Sequence, residues 1–130
     1  MKNQDDFYVV ICGSRSFNDY AALKEFCDYI LSNTTKTYFI TVISGAAKGA
    51  DTLGERYAEE KGYTCKQFPA DWGAHGRAAG FRRNEQMLEQ ADGVIAFSVN
   101  ESKGTEHMIK IAKEAGKKVA VKRLAKKEGA

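Results

Sequence analysis

The chain is short of almost everything that marks a secreted, metal-stapled or membrane-embedded protein. It holds one proline, one tryptophan, two histidines and three cysteines in 130 residues. Cys12, Cys27 and Cys65 are odd in number and share no C-x-x-C spacing, so neither a disulfide framework nor a zinc site is expected, and no other metal or cofactor is called for. No apolar run approaches the roughly 20 residues needed to cross a bilayer. The opening MKNQDD carries neither the basic nor the apolar stretch of a signal peptide. A reduced, cytoplasmic setting without a membrane partner is the expectation. Charge of one sign is scarce too: 20 basic against 17 acidic residues leave +3. Lys122, Arg123, Lys126 and Lys127 concentrate part of the basic charge over 122–130, which reads as a flexible basic tail. This balance argues against a dedicated nucleic-acid binder.

What is present is a short chain that is 43% hydrophobic, enough for one domain with a real core over 1–130. Apolar runs over 7–12, 38–43, 63–68, 93–97 and 118–121 read as five strands. Between them, Tyr20, Leu23, Cys27, Ile30 and Leu31 recur at helical spacing. So do Leu53, Tyr57 and Ala58, then Phe81, Met87, Leu88 and Ala91, and finally Met108, Ile111, Ala112 and Ala115. Gly62 and Gly116 stand where left-handed helix caps are expected. Alternating strands and helices with strand runs apolar on both faces predict an α/β, Rossmann-like three-layer sandwich: about five mainly parallel strands with helices on both faces. The segment "PADWGAHGRAAG" is the least regular and reads as a long functional loop or a broken helix start.

In such sheets a ligand sits beyond the carboxyl ends of the strands, where strand order reverses, so the strand-to-helix junctions carry the functional signal. Here they read "CGSRSFND", "SGAAKGAD", "AGFRRNEQM" and "SVNESKGTEH". Small residues let backbone N–H groups line a concave surface, and a following helix adds its positive end, so Ser44, Gly45, Ala46, Lys48 and Gly49 read as a phosphate cradle. The spacing is neither that of a Walker loop nor of a dinucleotide G-x-G-x-x-G turn, and a tight turn with close helix packing explains the same residues. Gly13, Ser14 and Arg15 repeat the pattern after the first strand, and Lys103, Gly104 and Thr105 after the fourth, with Thr105 placed to cap its helix. Arg82 and Arg83 open the third helix pointing in different directions, one of them able to reach the cleft.

Several residues have two readings. Trp72 is either a surface on which a base stacks or a plug closing its loop on the core. Asp51 either caps the second helix or meets a ribose hydroxyl. Arg15 is either a surface ion-pair partner or a ligand contact, and Ser14 and Ser44 either tie down their turns or meet a phosphate. His75 reads as a solvated loop residue.

Together, "CGSRSF", "ISGAAKGAD", "FPADWGAHGRAAGFRRNEQM", "ADGVIAF" and "SKGTEHM" resemble the YspA-like branch of the SLOG superfamily over roughly residues 7–121. That superfamily also holds the Lonely Guy phosphoribohydrolases and the DNA-processing protein A. The resemblance implies a Rossmann-like fold and a nucleotide or nucleotide-derived ligand such as AMP, ADP-ribose, NAD or a cyclic nucleotide, with the chain acting as a sensor or binding module. The phosphoribohydrolases carry R-K-x-x-M-x-x-x-A-D and then P-G-G-x-G-T-x-x-E. Here "RNEQMLEQAD" keeps Arg83, Met87, Ala91 and Asp92 in step and puts Asn84 at the lysine position. The second run keeps Gly104 and Thr105, but Met108 stands where that family keeps its catalytic glutamate. A thioether cannot shuttle a proton. The alternative function is N-glycosidic cleavage with Arg83 on the phosphate and Glu106 as acid or base, although Glu106 is turned by about 100° from Thr105 on a helix. Single-stranded DNA binding is a third alternative, and analogy with related domains points to a homodimer.

Overall fold

The computed structural model describes residues 5–71, 73 and 76–125. Five strands, β1 (Asp6–Gly13), β2 (Phe39–Ser44), β3 (Thr64–Gln67), β4 (Gly93–Val99) and β5 (Lys118–Leu124), alternate with α1 (Tyr20–Leu31), α2 (Ala50–Lys61), α3 (Ala79–Gln90) and α4 (Lys103–Glu114). Every strand pairing is parallel, in the order β3-β2-β1-β4-β5. The chain walks outward from β1 to β3, then crosses back to place β4 on the other side of β1, so strand order reverses between β1 and β4.

The pleat explains why the central strands are apolar throughout. In β1, Val9 and Ile11 join Leu23, Cys27, Tyr57 and Phe97 on one face of the sheet. Tyr8, Val10 and Cys12 join Met87, Met108 and Ile109 on the other. Alternation divides β4 in the same way, Ile95 and Phe97 against Val94 and Ala96. Each such side chain contributes roughly 1.5–3 kcal/mol on burial, and the two faces together hold the helices on both sides of the sheet.

Local chemistry sets the ends of the elements. Asp19 caps α1 by accepting from the Ala22 N–H at 3.0 Å. Gly62 closes α2 in the left-handed conformation with a φ of 74°. Asp92, the last residue of the R…AD run, lies at the amino end of β4, where its carboxylate accepts from the Tyr8 N–H at 2.9 Å. It therefore holds the sheet at the end opposite the ligand edge. The expected tail needs correction: Lys122, Arg123 and Leu124 belong to β5, paired with Phe97, Ser98 and Val99 of β4. Residues 126–130 lie outside the described residues, so the basic run is split between a strand and the terminus. A short 3-10 turn, Gly76–Ala78, runs directly into α3. Among the described residues no helix is long and apolar enough to cross a membrane.

Candidate functional site

A cleft of about 520 Å³ opens at the point where strand order reverses. That volume lies within the roughly 300–1,000 Å³ typical of small-molecule sites. Buried Cys12, Met87 and Met108 form its floor. Burial pushes the Cys12 thiol well above its usual range, which keeps it protonated and unreactive.

The end of β1 is stitched to the end of β4 through Ser14. Its N–H donates to the Phe97 carbonyl at 2.9 Å, and its Oγ accepts from the Val99 N–H at 2.7 Å. From there a chain of hydroxyls runs onward: Ser14 Oγ to Ser102 Oγ at 2.7 Å, and Ser102 Oγ to Thr105 Oγ1 at 2.8 Å. Because Ser102 donates to it, Thr105 keeps its own proton for an acceptor in the cleft that it lines. Thr105 is thus not the helix cap expected. Ser102 occupies that position, and its side chain makes no cap bond. The N–H groups of Lys103, Gly104 and Thr105 are left without a side-chain cap at the positive end of a 12-residue helix.

The approach to this helix is bent. Asn100 and Glu101 hold φ values of 52° and 53°, a region that costs a residue with a Cβ roughly 1–2 kcal/mol. Strain of this kind concentrates at functional turns.

Helix α3 supplies the opposite wall. Arg83 Nη1 donates to the Gly45 carbonyl at 2.5 Å, while its buried Nε has no partner among the described residues. A guanidinium with one anchor and spare donors is suited to an oxyanion. The next residue, Asn84, is buried and its amide spans two groups of α4, donating to the Gly104 carbonyl at 3.1 Å and meeting His107 Nδ1 at 3.1 Å. Among the described residues Asp51 is the single carboxylate lining the cleft. Burial raises its pKa, opposed by the Ala47 N–H that it accepts at 3.2 Å and by the Arg83 charge. Against it stand three cations among the described residues, Arg15, Arg83 and Lys103, so their balance is electropositive.

Of the residues expected from sequence, the structure brings Gly13, Ser14, Arg15, Asp51, Arg83, Asn84, Lys103, Gly104 and Thr105 together around this cleft. It does not do so for Ser44, Gly45, Ala46, Lys48 or Gly49. Ser44 is buried and donates to Glu55 at 2.6 Å. A side chain at Gly45 would run into Arg83 and Asp51, and one at Gly49 into the Ser14 and Arg15 carbonyls. Lys48 is exposed on the turn. The expected cradle is filled by the protein's own groups and serves packing, leaving only Ala47 and Asp51 of that corner on the cleft. Asp51 does not cap α2 with its side chain; its carboxylate instead holds the Ala47 N–H in the preceding turn. Glu106 is also off the cleft, since Ser98 and Arg123 engage its carboxylate at 2.7 and 2.8 Å and hold its pKa below the usual range. The catalytic role given to Glu106 is therefore withdrawn. Trp72 and His75 lie outside the described residues. Sequence reasoning passed over Phe81 and Ser102, which both line the cleft. Their signal was positional: Phe81 lies three residues before Asn84, on the same helical face.

An all-parallel sheet covered by helices on both faces, with a cleft at its reversal point, defines the Rossmann-like α/β class. Within that class the chain belongs to the YspA, cpYpsA-related SLOG family, whose model matches residues 7–75. It is 34% identical over 114 residues to the Gene 61 protein of Mycobacterium phage D29, covering 83% of this chain and 90% of that protein. Among solved structures it is similar to the structural-genomics target TM1055, with a TM-score of 0.62 at 21% identity over 87% of this chain and 72% of that one. DNA processing protein A from Streptococcus pneumoniae gives a TM-score of 0.49 at 15% identity, with 88% of this chain and 58% of that one covered.

Proposed function

We propose that the chain binds a nucleotide or nucleotide-derived ligand as a sensor or binding module, with the phosphate between the amino end of α4 and Arg83. The observation that carries this reading is the Arg83 guanidinium, buried at Nε without a partner among the described residues and lining the same cleft as three N–H groups that have no side-chain cap. Thr105 Oγ1 adds a neutral donor, and Arg15 and Lys103 supply charge at the exposed rim. Family membership supports a nucleotide-related role in general terms.

Isothermal calorimetry with AMP, ADP-ribose, NAD and a cyclic nucleotide tests the reading. At least one of the four is expected to bind, and Arg83→Ala to weaken it by about 10–100-fold, the loss of a charged hydrogen-bonding group. No binding at millimolar ligand, or an unchanged Arg83→Ala affinity, defeats it. Cleavage is the second reading. With Glu106 engaged elsewhere, the acid available to it is Asp51, whose burial favours the protonated form. Free base detected by chromatography and abolished by Asp51→Asn would replace the binding module with a hydrolase.

A further inference from the structure

Phe81 is a large apolar side chain left 44% exposed at the rim of a polar cleft. It sits in the first turn of α3 and its ring is backed by His107 of α4, with centroids 4.3 Å apart and planes tilted by 42°. The backing is itself fixed. Asn84 Nδ2 donates to the Gly104 carbonyl and to His107 Nδ1, each at 3.1 Å, which assigns the imidazole proton to Nε2. Desolvation lowers the pKa of His107, with Glu85 and Glu114 opposing and Lys110 reinforcing, so the ring is neutral near pH 7. One aromatic ring is thus held by a second, which an amide pins, and the pair spans the two helices that form the cleft walls.

We infer that Phe81, backed by His107, is the platform on which the ligand's planar base stacks, so that the site selects phosphorylated compounds carrying an aromatic heterocycle over sugar phosphates. The inference rests on the phosphate site proposed above and adds its second half. A half-exposed ring beside an oxyanion site gains from covering, and a base covers it without demanding hydrogen bonds of a particular sequence. His107 acts as a positioning residue, since it touches the ring and not the ligand.

The test compares AMP with ribose 5-phosphate on the wild-type chain, Phe81→Ala, Phe81→Leu and Phe81→Trp by calorimetry. The wild type is expected to prefer AMP by about ten-fold or more. Phe81→Ala and Phe81→Leu are expected to bring AMP down to the level of ribose 5-phosphate, a loss of about 10–100-fold, without changing the sugar phosphate. Phe81→Trp should hold the AMP affinity, and Phe81→Leu keeps the apolar bulk if the alanine variant is unstable. The adenine protons should shift upfield on binding to the wild type and not on binding to Phe81→Leu. An AMP to ribose 5-phosphate ratio of one, or a ratio that survives both ring deletions, overturns the platform while the phosphate site stands. Failure of both ligands to bind while ADP-ribose, NAD or the cyclic nucleotide binds overturns the platform alone, and failure of all of them overturns the phosphate site and the platform with it.

Discussion

Two corners of this molecule are written with similar residues: "SGAAKGAD" after β2 and "SVNESKGTEH" after β4. Both lead from a parallel strand into a 12-residue helix and both contain a residue with a Cβ at positive φ, Ala46 in the first and Asn100 with Glu101 in the second. In the first corner the glycines are pressed against protein. Gly49 holds a φ of 79° and a ψ of −126° and lies against the Ser14 and Arg15 carbonyls, and Gly45 lies against Arg83 and Asp51. In the second, a Cβ added at Gly104 would meet nothing within 4 Å. A glycine reports that something comes close or that space must stay open, and the chain alone does not say which.

The sharpest way to break this comparison is Gly49→Ala. Alanine is strained at that φ and would press on two backbone carbonyls, so a loss of about 2–4 kcal/mol is expected in urea unfolding; an unchanged midpoint would show the corner is looser than described. Next in size is Ser14→Ala, which leaves the part-buried Val99 N–H without its side-chain acceptor and breaks the hydroxyl chain to Thr105. It should cost about 1–3 kcal/mol by the same measurement. Gly104→Ala is expected to move the other way, from neutral to about 1 kcal/mol more stable, because it gains helix propensity in open space. A destabilised Gly104→Ala would erase the difference between the corners. The smallest effect concerns Asp51, whose raised folded pKa means that its contribution is present in full below the unfolded carboxyl range and is lost as pH rises through the folded value. Asp51→Asn should therefore gain stability relative to the wild type between pH 4 and pH 7, and a pH-independent difference would contradict the burial of that charge.

The sheet was legible because its central strands are apolar on both faces, which only a sheet covered on both sides requires; Val9 against Val10 and Ile95 against Val94 show the division directly. The end of β5 was not, since Lys122 and Arg123 look like a solvated tail until β4 is seen beside them and Glu106 is found to hold Arg123 at 2.8 Å. Around the cleft, Arg83 and Thr105 could be named from residue type and junction, because donors near a helix start have few other uses, and Asn84 only from the family resemblance. Glu106 could not be assigned, because its direction depends on the neighbouring strand. Phe81 escaped notice because an aromatic residue on an amphipathic helix reads first as core, and only its 44% exposure at the cleft separates it from Met87.

The bonds from Ser14 to Val99 and Ser102 join residues 85 and 88 positions apart. While the protein is being made, β1 and β2 can find each other early, but the pocket has no existence until the segment near residue 100 has left the ribosome and inserted beside the first strand. Loop closure over such distances is slow, and it comes late. A compound that occupies the pocket accordingly reports on the finished molecule, and by mass action it should raise the melting temperature of the entire domain rather than of one lobe.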